Sequence, residues 1–291
     1  MEPQPPPPEA PIAIASRLVA AFHNLDASIL ASSAASGSRD GSTALIAMRC
    51  GQHIYTAHVG DTRAVAVIAP AHHDGRRAHA VRLTRDHTAS CGIEAARVRA
   101  AGGRLHHAGC WRVIADEAID VGPAGGPSLR AALAVTRALG DGAFKRGRTM
   151  THSASATSLA SLAHAPRGVA QQTVLATPDV ARLQLRRDVM CVVCATDGLW
   201  DALSDDEAAA VAHAVLVGCD GSETAEQKAQ RVADTLVTTA LKVCHSCGHG
   251  GNPSMMDIDA LPCSHSLSLR VQRGSLDNVT TAILLPDWEA C

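Results

Sequence analysis

The sequence lacks a strong excess of charge, a long apolar run and a leader-like start. Its 26 Lys and Arg nearly balance its 28 Asp and Glu, giving a formal net charge of −2, so neither nucleic acid nor an anionic membrane is favoured as a partner. No run of 18 apolar residues occurs, so we expect no membrane span. Residues 1–5 contain neither a basic nor an apolar segment, unlike a secretory signal.

Cysteine usage gives no sign of a disulfide scaffold, although the chain has 10 cysteines in 291 residues. Cys50, Cys191 and Cys194 lie in apolar strand-like runs, where a free cysteine behaves as a small buried hydrophobe. We therefore expect an intracellular location, cytoplasmic or nuclear.

Periodicity and turn residues define the first half of the chain. Residues 1–11 are Pro-rich and predicted to be disordered. Apolar residues at every third or fourth position predict an amphipathic helix over 12–32. Three β-like runs follow, separated by the turn pairs Gly51-Gln52 and Gly60-Asp61, and this spacing predicts an antiparallel meander: 43–50, 53–59 and 64–69.

The second half combines strands with two long helices. Apolar runs predict strands at 174–185, 189–195 and 279–285, and the sequence Ser204-Asp205-Asp206-Glu207 is typical of a capping box that starts a helix to 217. A second helix is predicted at 224–243. Clustered antiparallel strands with helices at the sides indicate an α+β sandwich over 12–291, with loop insertions at 146–169 and 244–273.

The sharpest chemical feature is a buried strand that runs into Asp197-Gly198-Leu199-Trp200-Asp201. An ionised carboxylate at the end of a buried strand is costly unless a cation compensates it. Two carboxylates four residues apart across a glycine turn can face one divalent ion. The alternative, that both residues only cap the turn before the helix, is equally open from the local sequence.

Two further patterns are weaker on their own. Asp277-Asn278 begins the last apolar strand, but this pair is also ordinary turn chemistry. Gly60-Asp61-Thr62-Arg63 lies between two predicted strands, and its local interpretation is a structural hairpin with an Asp–Arg pair.

Taken together and in this order, eight segments resemble the metal-dependent protein phosphatase family (PPM type, protein phosphatase type 2C). They are GSTALIA (41–47), YTAHVGDTRAV (55–65), LTRDH (83–87), VRAAGGRL (98–105), LAVTRALGDGAFK (133–145), TPDV (177–180), CATDGLWDALSDDE (194–207) and SLDNVTTAIL (275–284). The resemblance implies two antiparallel β-sheets flanked by α-helices. It also implies hydrolysis of phosphoserine and phosphothreonine in phosphoprotein substrates by a metal-activated water.

The resemblance also implies metal ligands. Asp197 and Asp277 match ligands of two Mn²⁺ or Mg²⁺ ions, and Asp201 and Asp86 match ligands of a weaker third ion. Arg63 and Gly60-Asp61 match a structural turn.

The family's first strands are not seen in this sequence. They carry a phosphate-binding Arg and an Asp-Gly-His-Gly-Gly motif, which supplies a bridging Asp and a His proposed as general acid. We therefore identify no catalytic residue and expect one sheet to lack its N-terminal strands. Because Mg²⁺ needs well-placed ligands, we also expect reduced metal affinity.

One late segment resembles the absent motif. Cys247-Gly248-His249-Gly250-Gly251 has Cys in place of Asp, but it follows the wrong elements, and Cys is too soft a ligand for Mg²⁺. The same region offers a conceivable zinc clip of Cys244, Cys247, Cys263 and His265, although its irregular spacing favours a plain loop.

Three hypotheses follow from the sequence. The chain is a PPM-type phosphatase, a catalytically weak pseudophosphatase that binds partners, or a fragment of a longer phosphatase. The sequence does not identify the target phosphoprotein or the oligomeric state.

Overall fold

The computed structural model of the chain describes residues 11–70, 77–115, 131–145, 172–219, 221–246 and 279–286. The helices are α1 (Pro11–Ser36), α2 (Gly92–Ala100), α3 (Asp197–Trp200), α4 (Asp205–Val217) and α5 (Ala225–Ser246). The strands are β1 (Gly41–Ser42), β2 (Ala44–Cys50), β3 (His53–Val59), β4 (Arg63–Ile68), β5 (His79–Arg82), β6 (Arg104–Ala108), β7 (Cys110–Ile114), β8 (Ala132–Leu133), β9 (Leu139–Gly140), β10 (Asp179–Gln184), β11 (Val189–Ala195) and β12 (Thr281–Leu284). None of the helices in these ranges combines the length and hydropathy needed to span a bilayer.

The chain divides into two compact units. The first contains Met1–Val19, Leu45–Asp86 and Asp179–Cys291, and the second contains Ala20–Ala44 and His87–Pro178. Helix α1 contributes residues to both, and its Ile14, Leu18 and Phe22 are buried at a spacing of one helical turn.

Two antiparallel sheets form the first unit. One has the strand order β10-β3-β2 and the other the order β12-β11-β4-β5. In the four-stranded sheet, β11 pairs with β4 on one side and with β12 on the other. This arrangement confirms the predicted α+β class with antiparallel sheets.

The central strands β4 and β11 are buried on both faces, which is why their sequences are continuously apolar. Side chains alternate between the faces of a strand. One face contributes to a cluster shared with the three-stranded sheet: Ile54, Ala64, Ala66 and Val192. The other face contributes to a cluster shared with α4 and α5: Val65, Val67, Cys191, Val193, Ala212 and Leu236.

Helix α4 begins with the capping box that the sequence predicts. The Glu207 backbone N–H donates to Ser204 Oγ at 3.3 Å, and the Ser204 backbone N–H donates to the Glu207 carboxylate at 2.8 Å. Both contacts satisfy N–H groups that have no partner within the helix. The cap therefore fixes the end of the segment that follows Asp201.

The second unit is built around α2 and a three-stranded sheet of order β6-β7-β8. Its core contains Val98, Val113 and Phe144. Glu94 is buried and accepts hydrogen bonds from Arg137, Arg97 and Thr136. Burial alone would raise the pKa of this carboxyl, but these hydrogen bonds outweigh it and lower the pKa to about 2.

The predicted meander is wrong at its second turn. Strand β3 pairs in the three-stranded sheet, whereas β4 pairs in the four-stranded sheet, so the turn at Gly60-Asp61 carries the chain from one sheet to the other. Gly60 has a φ of 92° there, a conformation that glycine adopts without steric cost.

Several predicted boundaries also differ. The helix predicted at 12–32 extends to Ser36, and the strand predicted at 174–185 begins at Asp179. The first three residues of the predicted 244–273 insertion belong to α5, and its remainder lies outside the described residues. The predicted insertion at 146–169 and residues 1–10 of the predicted tail lie outside them as well.

Candidate functional site

The strand β11 delivers two carboxylates to one end of the four-stranded sheet. Asp197 follows its last residue by two positions and starts the single turn α3, and Asp201 follows that turn. The Asp201 backbone N–H donates to the Asp197 carbonyl oxygen at 2.8 Å, and the Trp200 indole N–H donates to the Ala195 carbonyl oxygen at 3.0 Å. These bonds fix the main chain of the turn from which both carboxylates project.

The side chain of Asp197 also contributes to the turn. Its Oδ1 accepts the backbone N–H of Gly198 at 2.9 Å. The capping interpretation offered by the sequence is therefore correct in part. It does not exclude a second role, since a carboxylate has several acceptor sites.

The last strand meets β11 at the same end. Ala195 lies opposite Thr281, the Thr196 N–H donates to the Thr280 carbonyl oxygen, and the Thr280 N–H donates to Thr196 Oγ1, both at 3.1 Å. Asp277, the other predicted ligand, lies outside the described residues.

Asp61 is a third carboxylate at this end, and sequence reasoning assigned it to a structural turn. Strand β4 is antiparallel to β11, with Arg63 opposite Ala195, so residues just before β4 and just after β11 lie at the same sheet end. Burial, followed by the charges of Asp197, Asp86 and Asp201, raises the pKa of Asp61 to about 6. Three neighbouring carboxylates therefore act on Asp61.

The prediction that Asp61 and Arg63 pair within this turn is wrong, because Arg63 bonds other carboxylates. Arg63 donates to both oxygens of Asp86, at 3.1 and 2.5 Å, and to Asp205 at 2.7 Å. Its guanidinium also lies 5.1 Å from the centre of a Trp200 ring, a cation–π distance. Burial opposes its charge, but the bonds to Asp86 and Asp205 raise the pKa of Arg63.

The surroundings of the predicted metal ligands differ in their charge balance. The carboxylate of Asp86 is compensated by Arg63, and Asp201 is exposed to solvent. By contrast, the pKa of Asp61 is raised first by burial and then by repulsion from Asp197, Asp86 and Asp201. A cation at this position would relieve that repulsion.

A complete metal shell is a stricter requirement. Within the ranges that the structure describes, which exclude Asp277, no group of three or more His, Cys, Asp or Glu could hold a metal ion. The described carboxylates therefore supply electrostatic attraction for a divalent cation but not a full set of ligands. Their roles as ligands remain predictions.

The segment 247–251 that resembles the absent motif lies outside the described residues. The same holds for Cys263 and His265 of the conceivable zinc clip and for the side chain of Cys244. The resemblance of 247–251 to the absent motif and the preference for a plain loop over a zinc clip therefore stay predictions.

Comparison with known proteins gives a consistent result. A model of the family "Protein phosphatase 2C" matches residues 14–245. Among curated proteins, "Probable protein phosphatase 2C 76" of Arabidopsis thaliana is 29% identical over 196 residues, covering 67% of this chain and 33% of that protein. "Probable protein phosphatase 2C 71" of the same plant is 30% identical over 200 residues, covering 69% of this chain and 34% of that protein. The chain thus spans about a third of the length of these two relatives.

Solved structures show the same fold at low identity. The serine-threonine phosphatase 2C from Toxoplasma gondii has a TM-score of 0.63 and 17% identity, covering 84% of this chain and 68% of that chain. A sex determining protein of C. elegans has a TM-score of 0.58 and 16% identity, covering 97% of this chain and 48% of that chain.

Proposed function

Since the chain belongs to the protein phosphatase 2C family, we propose that it is a metal-dependent serine/threonine phosphatase of phosphoproteins. The single observation that carries this proposal is the group of carboxylates at one end of the four-stranded sheet, where the charges of Asp197, Asp86 and Asp201 act on the half-buried Asp61. Carboxylates grouped in this way, with one pKa raised by burial and by neighbouring charge, are typical of functional sites.

In this proposal, Asp197 and Asp277 hold Mn²⁺ or Mg²⁺, and Asp201 and Asp86 hold a further ion. Bound ions of this kind lower the pKa of water and neutralise charge on transferring phosphoryl oxygens. The pairing of β11 with β12 supports the set, because Thr280 contacts Thr196 directly and Asp277 precedes Thr280 by three positions in the sequence. Asp61 would add negative charge beside these proposed metal ligands.

The test is Mn²⁺ binding together with hydrolysis of a phosphothreonine peptide. In Asp197→Asn the amide oxygen can still accept the Gly198 N–H, so the turn is kept while the charge is lost. We expect this variant to bind Mn²⁺ more weakly by calorimetry and to release phosphate about 10²–10³-fold more slowly. Glu226→Gln, which removes the same charge from an exposed site on α5, should change neither.

A second candidate is a binding module without turnover. Two observations favour a binding module. Arg63 already compensates the charge of Asp86, and the described residues do not complete a metal shell. This candidate predicts saturable binding of the phosphothreonine peptide with no Mn²⁺-dependent phosphate release. Phosphate release that depends on Mn²⁺ and on Asp197 would exclude it.

A further inference from the structure

An open groove of about 580 Å³ lies in the first unit. It is lined by His58 of β3 and by two continuous stretches that form its walls, 82–85 and 179–181. Side chains of consecutive residues in an extended chain point to opposite faces. A wall made of consecutive residues therefore presents main-chain atoms to the groove as well as side chains. The groove therefore runs between two main-chain edges.

Each wall includes residues of an end strand, but the main chain of the 82–85 wall is partly bonded, since the Leu83 N–H donates to the Ala64 carbonyl oxygen at 2.9 Å. Strand β10 is the end strand of the order β10-β3-β2, and β5, whose last residue Arg82 begins the other wall, is the end strand of the order β12-β11-β4-β5. Edge strands present main-chain N–H and C=O groups. Extended peptides bind such edges by main-chain hydrogen bonding.

The groove is also lined by an arginine whose side chain has no acidic partner among the described residues. Arg82 forms an ion pair with Asp205 at 2.7 Å, whereas Arg85 is exposed and has no acidic partner in the part of the chain that the structure describes. The main chain of Arg85 is held in place, because its carbonyl oxygen accepts from Nε2 of the buried His58 at 2.8 Å. Asp179 lies on the opposite wall, which directs an anionic group to the Arg85 side.

The wall with Arg85 leads directly into the candidate site, because the next residue is Asp86, whose charge acts on Asp61. We propose that the groove holds an extended segment of the phosphoprotein substrate, with an acidic side chain of that segment paired to Arg85 and its main chain against the edge of β10. This inference rests on the proposed function, and it adds a preference for substrates that are acidic near the phosphorylated residue.

The test measures peptide binding without turnover. The full chain in EDTA is titrated into a fluorescein-labelled phosphothreonine peptide flanked by glutamates, or into a twin with glutamines, and anisotropy is recorded. We expect the wild type to prefer the acidic peptide. Arg85→Gln should weaken its binding about two- to fivefold, the range of an exposed ion pair, without affecting the twin. Arg187→Gln, which removes an exposed arginine outside the groove, should leave both affinities unchanged.

Three results would overturn the proposal: no preference in the wild type, no binding of either peptide, or equal effects of Arg85→Gln and Arg187→Gln. Amide exchange provides a second measurement, since bound acidic peptide should slow exchange within 179–184. Loss of phosphate release alone would contradict the proposed function but not the groove, because neither binding measurement requires hydrolysis.

Discussion

Replacing Asp61 with Asn should stabilise the metal-free protein near neutral pH. The pKa of Asp61 rises from 3.8 to about 6 on folding, and each pKa unit corresponds to about 1.4 kcal/mol. The ionised carboxylate therefore destabilises the folded state by at most about 3 kcal/mol at pH 7.5. Because the side chain is partly exposed to solvent, we expect a gain of about 1–2 kcal/mol, or a thermal midpoint a few degrees higher.

The sign of the pH dependence follows from the raised pKa. The folded state holds the Asp61 proton more tightly than the unfolded state, so this residue costs no stability below pH 3.8. The cost grows as the pH rises to about 6. The gain in Asp61→Asn should therefore be present at pH 7.5 and nearly absent at pH 4.

The assay is thermal unfolding in EDTA at both pH values, with Glu226→Gln as the control. Mn²⁺ should also stabilise the wild type more than Asp61→Asn, since the ionised carboxylate attracts the cation. An equal midpoint for Asp61→Asn and the control at pH 7.5, or an equal gain at both pH values, would show that the ionised Asp61 carboxylate does not destabilise the folded protein.

Two further changes test the second unit. Glu94→Gln should cost about 3 kcal/mol, because it leaves the half-buried guanidinium groups of Arg97 and Arg137 without their anion. The wild type should lose this contribution as the pH falls from 4.5 to about 2. Urea unfolding across that range checks both, and Glu226→Gln, at an exposed position, should cost much less. Gly41→Ala should cost about 1–3 kcal/mol, because its new Cβ would lie 2.1 Å from Cγ of Asp141. Gly92→Ala, whose Cβ meets no atom within 4 Å, is the matched control, and equal midpoints for the two glycine variants would show that the contact is not strained.

Local features were predictable from the sequence because their causes are local. The apolar run of β11 and the capping box at Ser204 depend on neighbouring residues, and both form as expected. The resemblance of ordered segments predicted the antiparallel sheets and the family, and the fold and the family model agree with it.

Features that depend on distant pairing were not predictable in the same way. Gly60-Asp61 is equally suitable for a hairpin and for a crossing between sheets, and only the pairing of β4 with β11 decides between them. That pairing also brings Asp61 near Asp197, which the turn chemistry alone does not reveal. Arg63 likewise bonds Asp205, 142 positions away, instead of the carboxylate beside it.

Metal-dependent phosphatase activity is measured by the initial rate of phosphate release from a phosphothreonine peptide as Mn²⁺ is increased from zero in EDTA-treated protein. We expect a rate that is negligible without Mn²⁺ and saturates as Mn²⁺ is added. In Asp197→Asn the saturated rate should fall about 10²–10³-fold, while Glu226→Gln keeps the wild-type curve. A rate that is independent of Mn²⁺, or an Asp197→Asn variant with the wild-type rate, would contradict the proposed function.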